Sequence, residues 1–205
     1  MLSIKHSSVN MVRYFFIIFI LNILIASDSM TWEILNEKPI LIKVLRSDYP
    51  HCEAELIIDE SIEDILNVIK DVNHYKLFFD SINISDMNEQ GEVRLGIDMP
   101  FPFSNRDYTV KFNRLEEENK ISYLYSPIIT NDFPEDKNYI RLVDASGGWI
   151  LSKQEDNKTL VVYAWNGDMR GDFPKWAYTS AWVKQGNEIM LNLEKEVKRR
   201  SNLND

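Results

Sequence analysis

Residues 99–110, with the sequence MPFPFSNRDYTV, set two adjacent and opposite charges inside an otherwise apolar and aromatic segment. The two prolines have no backbone N–H group to donate to a neighbouring strand, so a paired strand is expected to begin only after them. Side chains alternate between the two faces of a strand, which places Arg106 and Asp107 on opposite faces. Each charge then has apolar or aromatic neighbours and needs a partner inside the fold or a bound ligand.

The composition narrows the class of protein and the kind of site. A chain of 205 residues suits one domain with one core, and its formal net charge of −9 makes nucleic acid an unexpected partner. The single cysteine, Cys52, excludes an internal disulfide and a multi-cysteine metal site. With three histidines and no G-x-S-x-G, phosphate-binding or H-E-x-x-H motif, the sequence predicts no catalytic residue, no metal site and no cofactor.

The N-terminus has the layout of a secretory signal peptide. Residues 14–25 are apolar except for Asn22, follow the basic Lys5 and Arg13, and precede the small pair at 26–27. The apolar run is shorter than the roughly 18 residues that a membrane-spanning helix needs. We therefore expect residues 1–27 to be a signal peptide, cleaved or kept as a short anchor, and the protein to be periplasmic or secreted. A start at Met30 would instead leave a cytosolic protein.

The rest of the chain predicts two strands, a helical region and a long antiparallel meander. Apolar residues at helical spacing indicate a helix at 61–71, and a short helix or helical turn is expected at 73–80. The predicted strands are 40–46, 51–58, 93–98, 107–115, 121–125, 139–143, 149–152 and 159–165.

A long helix closes the chain, from Pro174 to about Arg200, with Asp172 as its expected N-cap. Its apolar seam repeats every seven residues, at Trp176, Val183, Met190 and Val197. Polar or small residues occupy the positions where a second apolar row would stand in a core helix: Ser180, Gly186 and Asn187. Two interpretations stay open, a helix that lies over a concave sheet without filling it and a core helix with an imperfect stripe.

The order of elements and several segments resemble the START domains, the lipid-transfer domains related to the steroidogenic acute regulatory protein. Residues 100–108, PFPFSNRDY, are similar to the signature strand of that family. Three further segments follow in the family's order: 140–141, 148–151 and 171–176. The chain departs from the family at 168–171, where DMRG stands in place of a Pro-Gly-Gly turn, and in lacking a tryptophan near Phe78 and Phe79.

The resemblance covers residues 32–200 and implies an α+β helix-grip fold. In that fold a curved antiparallel sheet wraps around a long C-terminal helix and encloses a hydrophobic cavity, and residues 201–205 would form a disordered tail. The aromatic content of 12% could line such a cavity. The expected lining residues are Tyr125, Tyr139, Trp149, Tyr163, Trp165, Trp176, Val183 and Met190.

The charges expected to face inward are Arg106, Asp107 and Arg141. We expect Asp107 to pair with one arginine and the other to be free for a ligand headgroup, because the planar guanidinium suits phosphate or carboxylate. The alternative is a purely structural ion pair.

The resemblance therefore implies a monomer that binds a lipid or other hydrophobic molecule without catalysis, and that could transfer it between membranes. Membrane contact would be transient, through the closing helix or residues 128–135. Two alternatives remain, a polyketide-cyclase or aromatase that uses the same cavity, and an interaction protein whose cavity is packed shut.

Overall fold

A computed structural model describes residues 31–204, so the predicted signal peptide at 1–27 lies outside the described residues. Ten strands form one sheet, and the longest described helix has 27 residues. The helices are α1 (Ile62–Ile69) and α2 (Tyr178–Asn204). The strands are β1 (Trp32–Asn36), β2 (Leu41–Leu45), β3 (His51–Ile58), β4 (Ile82–Met87), β5 (Glu92–Ile97), β6 (Asn105–Glu117), β7 (Lys120–Pro127), β8 (Tyr139–Arg141), β9 (Gly147–Lys153) and β10 (Thr159–Asn166).

The strands follow the order β1-β2-β3-β10-β9-β7-β6-β5-β4, with neighbours antiparallel. β8 lies off this path and pairs in parallel with β6, which the predicted antiparallel meander did not include. Burial alternates along β10, where Val161, Tyr163 and Trp165 are buried on the inner face. The expected α+β helix-grip architecture is confirmed, because a single long helix lies against the inner face of this curved sheet.

The α2 helix packs closely along its second half and less closely along its first. Met190, Leu193 and Val197 are fully or almost fully buried in the core. Gly186 faces β2 and β3, where an added Cβ would stand 3.0 Å from Ile42 Cδ1. Gly186 therefore lets the helix approach the sheet closely. The polar and small residues around it in the sequence had suggested a gap at this position, and there is none.

The α1 helix and the 3-10 helix after it lie beside the C-terminal part of α2. Ser61 caps α1, since its hydroxyl accepts a hydrogen bond from the Asp64 N–H at 3.2 Å. The chain continues into a 3-10 helix, Val72–Leu77, where the Tyr75 hydroxyl donates to the carbonyl oxygen of Ile69. The predicted helix and helical turn are both present.

The start and the end of the closing helix differ from the prediction. A 3-10 helix, Lys175–Ala177, precedes α2, and Asp172 binds Ser104 and Arg106 instead of capping the helix. At the other end α2 continues to Asn204, so most of the predicted disordered tail is helical. Within residues 31–204, no helix is long and apolar enough to cross a membrane.

Candidate ligand-binding cavity

The first residues of β6 send opposite charges to opposite faces of the sheet. Arg106 is fully buried on the inner face and is bound by backbone oxygens. Its Nε donates to Met169 O at 3.0 Å, its Nη2 donates to Arg170 O at 2.9 Å, and its Nη1 donates to Ser104 O. Nη2 also donates to Asp172 Oδ1 at 2.9 Å. Arg106 therefore ties the start of β6 to the segment that leads into α2.

Asp107 forms a buried ion cluster on the outer face. Its Oδ1 accepts from Arg141 Nε at 2.8 Å and its Oδ2 accepts from Arg141 Nη2 at 2.8 Å. Arg94 Nε also donates to Oδ2 at 2.8 Å, and the Arg94 guanidinium lies 5.4 Å from the ring centroid of Tyr139. The expected pairing of Asp107 with one arginine is thus confirmed, but with Arg94 as an unforeseen second partner.

This pairing changes where the predicted charged site lies. Arg141 and Tyr139 are on β8, next to Asp107 and Asn105, and so they share the outer face with Asp107. Arg141 also donates to the carbonyl oxygen of Phe133 at 3.3 Å, which holds the loop at 128–135 against the sheet. The other arginine, Arg106, is not free, because the protein itself occupies its donors. None of these groups presents an open charge to the inner face.

A cavity of about 290 Å³ lies between the sheet and the first half of α2. Its wall is mainly apolar and aromatic, with Tyr108 and Tyr163 from the sheet and Ala181 and Ile189 from the helix. The volume stands at the lower end of the roughly 300–1,000 Å³ that is usual for small-molecule sites. The other lining residues are Ser81, Ile82, Ile97, Asp98, Met99, Pro100, Phe103, Arg106, Leu142, Met169, Phe173, Ala177, Ser180, Lys184, Gln185 and Glu188.

The cavity meets solvent between residues 98–103 and the beginning of α2. The exposed members of its lining are Asp98, Pro100, Ser180 and Lys184, and they surround this opening. Phe103 and Phe173 pack against each other at the same place, with ring centroids 4.7 Å apart.

Two smaller cavities adjoin the main one. One of about 40 Å³ shares Tyr108, Tyr163 and Gln185 with it and adds Tyr125 and Trp165. The other, of about 20 Å³, reaches towards Tyr75, Phe79, Phe112 and Trp149. The cavity system therefore extends from the opening into the aromatic core.

Buried tyrosine hydroxyls give the inner end its polarity. Burial raises the pKa values of Tyr75, Tyr108 and Tyr125 well above 10.0. Burial also raises the pKa of Tyr163, although polar contacts from Tyr125 and Gln185 act in the opposite direction. These phenols are neutral at physiological pH and act as uncharged hydrogen-bonding groups.

The predicted lining residues fall into three places. Tyr163 lines the main cavity, while Tyr125, Trp165 and Trp149 line the smaller ones. Met190 is buried in the core, and Val183 is half-buried against it. Trp176 is 85% exposed, so the expectation that it lines the cavity is wrong, as it is for Tyr139 on the outer face.

Several cavity residues were not expected. Tyr108 follows Arg106 at strand spacing, so the alternation that placed Arg106 could have identified it. Ile189 and Gln185 come from α2, but the seven-residue seam did not include them. Trp182, which was not predicted either, lies outside the linings of these three cavities and is buried, with its indole Nε1 donating to Gly167 O at 2.8 Å.

The fold is shared with solved structures of START-type proteins. A STAR-related lipid transfer protein from Xanthomonas axonopodis is 19% identical with a TM-score of 0.71, over 82% of this chain and 98% of that one. Human StAR-related lipid transfer protein 5 is 16% identical with a TM-score of 0.75, over 89% of this chain and 94% of that one. These similarities confirm the START-type helix-grip fold.

The same fold also occurs in an enzyme. The Zhui aromatase/cyclase from Streptomyces sp. R1128 is 17% identical with a TM-score of 0.50, over 74% of this chain and 94% of that one. No protein-family model matches the chain, and no curated protein matches it.

Proposed function

We propose that the protein binds one hydrophobic molecule, such as a lipid of modest size, in the cavity beneath α2, without catalysing a reaction on it. The observation that carries this proposal is the apolar cavity of about 290 Å³ with an opening beside the first turns of α2. A mainly apolar pocket with few polar groups is typical of sites that enclose small hydrophobic ligands. The lipid transfer proteins that share the fold support the same ligand class.

The charges of the site favour binding over catalysis. Arg106 is held in hydrogen bonds within the protein. The cavity carboxylates are engaged as well, since Asp98 Oδ1 accepts from Asn105 Nδ2 at 2.9 Å and Glu188 Oε1 accepts from the Ser81 N–H at 2.6 Å. The tyrosines of the inner cavity are neutral near pH 7, since a phenol has an ordinary pKa of about 10 and burial raises the pKa of Tyr108 still further. A general acid or base would instead have a pKa near the working pH.

The surroundings of the opening support transient contact with a membrane. Phe101 is 97% exposed in the loop that borders the cavity, and Trp176 is 85% exposed in the turn before α2. Aromatic side chains are common at the membrane–water interface. Lys175 and Lys184, both exposed, lie near this opening and could contact anionic headgroups. We expect this face to dock on vesicles, in place of the loop at 128–135.

We also propose that the protein is exported, because residues 1–27 have the layout of a secretory signal peptide. If the segment is a cleaved signal peptide, N-terminal sequencing of protein expressed from Met1 should identify a mature chain that begins near Ser27. An intact N-terminus in the cytosol would contradict export.

The central experiment compares ligand binding by the full chain and a variant with a filled cavity. Ala181→Trp places a large side chain in the cavity, and Lys195→Trp places the same side chain on the exposed side of α2 as a matched control. We expect Ala181→Trp to weaken binding of the fluorescent probe N-phenyl-1-naphthylamine by at least about tenfold, and Lys195→Trp to leave it unchanged. Equal binding by both variants would contradict the cavity as the site.

Native mass spectrometry of the full chain, purified without detergent, provides a second measurement. We expect a copurified hydrophobic molecule that is lost from Ala181→Trp and retained by Lys195→Trp. Its mass should stay the same on incubation with the protein, and conversion into a product would favour the aromatase or cyclase alternative.

A further inference from the structure

The inner end of the cavity holds a hydrogen-bond donor without a partner. Trp165 is 3% exposed, and its indole nitrogen Nε1 is buried with no hydrogen-bond partner in residues 31–204. Such a donor is rare in folded proteins and costs free energy unless an acceptor occupies the space beside it. Trp182 provides the contrast, because its Nε1 donates to Gly167 O at 2.8 Å.

Trp165 is one of the residues that line the smaller cavity of about 40 Å³. The Trp165 ring lies against Tyr163 in a stacked arrangement, with ring centroids 5.2 Å apart. Tyr125, Tyr163 and Gln185 line the same space and add neutral polar groups. This cavity adjoins the main one through Tyr108, Tyr163 and Gln185, so one ligand can reach both.

The volume limits what can occupy this space. A buried water needs roughly 10–15 Å³ of cavity volume, so about 40 Å³ accommodates a small oxygen-bearing group and is too small for a phospholipid headgroup. Water in the unliganded protein could satisfy Trp165, and an oxygen atom of the ligand would then replace it.

The charges around the cavity disfavour an anionic ligand. Arg106 is committed to Met169, Arg170 and Asp172, and Lys184 is exposed at the opening. The outer wall of the smaller cavity carries the carboxylates of Asp144 and Asp168 and the guanidinium of Arg170, whose Nη1 lies 3.9 Å from Asp144 Oδ2. Arg170 is paired with Asp144, so this wall holds two carboxylates against one guanidinium, and a buried anion would meet neutral groups and a net negative charge, which favours an uncharged oxygen.

On these grounds we infer that Trp165, together with Tyr125, Tyr163 and Gln185, forms a subsite for a neutral oxygen, a carbonyl or a hydroxyl, at one end of a hydrophobic ligand. The inference rests on the proposed function, because it names the ligand class for the same cavity. The ligand is then an uncharged apolar molecule that carries one oxygen group, and a fatty acid anion or a phospholipid headgroup is excluded from the inner end.

The test measures how decane, 2-decanone and decanoate displace N-phenyl-1-naphthylamine from the full chain at pH 7.5. The affinities of decane and 2-decanone are each corrected for partition from water into hexadecane, because the ketone loses more hydration than the alkane on burial. On this corrected scale we expect 2-decanone to bind about tenfold more tightly than decane, and we expect the measured affinity of decanoate to be no higher than that of decane. Trp165→Phe removes the N–H group and keeps most of the ring, so the preference for the ketone should disappear while decane affinity is retained.

Two further variants separate the subsite from general effects on the fold. Trp182→Phe is the matched control, because its N–H group already has a partner, and it should keep the ketone preference. Gln185→Met provides a second test should Trp165→Phe not fold, and we expect it to reduce the ketone preference. Equal binding of decane and ketone by the full chain on the partition-corrected scale, or a preference that Trp165→Phe leaves intact, would overturn the subsite and leave the proposed function standing. Failure of the probe and all three compounds to bind would overturn both.

Discussion

Asp172 Oδ1 accepts a hydrogen bond from Arg106 Nη2 at 2.9 Å and thereby joins the beginning of β6 to the chain just before α2. The other carboxylate oxygen, Oδ2, accepts from the Ser104 N–H at 3.1 Å. Phe173, the next residue, lines the cavity at its opening. The contact therefore holds one side of the opening in place.

Removing this contact should speed the release of ligand. In Asp172→Ala the carboxylate contacts to Ser104 and Arg106 are lost, while the bonds from Arg106 to Met169 O and Arg170 O remain. The segment before α2 is then held less firmly, so we expect the bound probe to dissociate roughly tenfold faster in stopped-flow fluorescence. Asp48→Ala, at an exposed site outside the cavity lining, is the control and should dissociate like the unmodified protein. An unchanged rate in Asp172→Ala would show that this contact does not limit release.

The same contact should be insensitive to mild acid. The Ser104 N–H and Arg106 hold the pKa of Asp172 below its ordinary value of 3.8. A lowered pKa in the folded state means that the contact is present above pH 3.8 and is lost only as the pH falls through the lower value. The release rate should therefore stay constant from pH 8 to pH 5, and a marked increase in this range would contradict the assignment.

The ion cluster on the outer face should matter for stability and not for binding. Asp107→Ala leaves Arg94 and Arg141 without their shared carboxylate, so we expect the free energy of unfolding to fall by about 3–5 kcal/mol. Urea denaturation measures this loss, and probe binding per folded molecule should be unchanged. We expect Arg141→Met likewise to lower the free energy of unfolding and to leave probe binding per folded molecule unchanged. Weaker binding by folded Arg141→Met would instead place this arginine at the ligand.

Buried tyrosines should make the protein sensitive to alkali. The raised pKa values of Tyr75, Tyr108 and Tyr125 mean that the full stability is present below pH 10.0, and that it is lost as the pH rises and the unfolded chain ionises. Each such tyrosine contributes a slope of about 1.4 kcal/mol per pH unit. Tyr108→Phe should make the fall in unfolding free energy above pH 10 shallower, whereas Tyr49→Phe, at an exposed tyrosine, should not.

Cys52 should resist alkylation in the folded protein. Burial raises the pKa of its thiol to about 12, with Arg46 acting weakly in the opposite direction. The thiolate is the reactive form, so at pH 8 iodoacetamide should modify native Cys52 roughly a thousandfold more slowly than in the urea-unfolded chain. Mass spectrometry measures both rates, and comparable rates would contradict the burial of this residue.

Local patterns predicted the main elements because they depend on neighbouring residues. Alternation along residues 51–58 gave the bounds of β3, and Ser61 with its following apolar residues gave α1. The pairing of Asp107 followed from the cost of a buried charge. The identity of the partner could not be predicted in this way, because it depends on the parallel pairing of β8 with β6, which joins residues far apart in sequence.

Trp176 shows why the cavity lining was harder to predict. A seam with a period of seven assumes a continuous α-helix from Pro174, but Trp176 lies in a 3-10 helix and α2 begins only at Tyr178. The change in helical geometry turns the side chain outward. Tyr139 was misplaced for a different reason, because alternation does not tell which face of a strand looks into the cavity.

The adjacent charges of β6 also bear on how faithfully the sheet is assembled. A slip of one residue in the pairing of β6 would turn Arg106 away from Met169 and Asp172 and bring Asp107 towards the apolar cavity. Both charges would then be buried without partners, so a misaligned sheet would bear the free-energy cost of two unpaired buried charges. The adjacent charges of Arg106 and Asp107 thus raise the free energy of misaligned pairings and favour the native strand register, whether or not a ligand is bound.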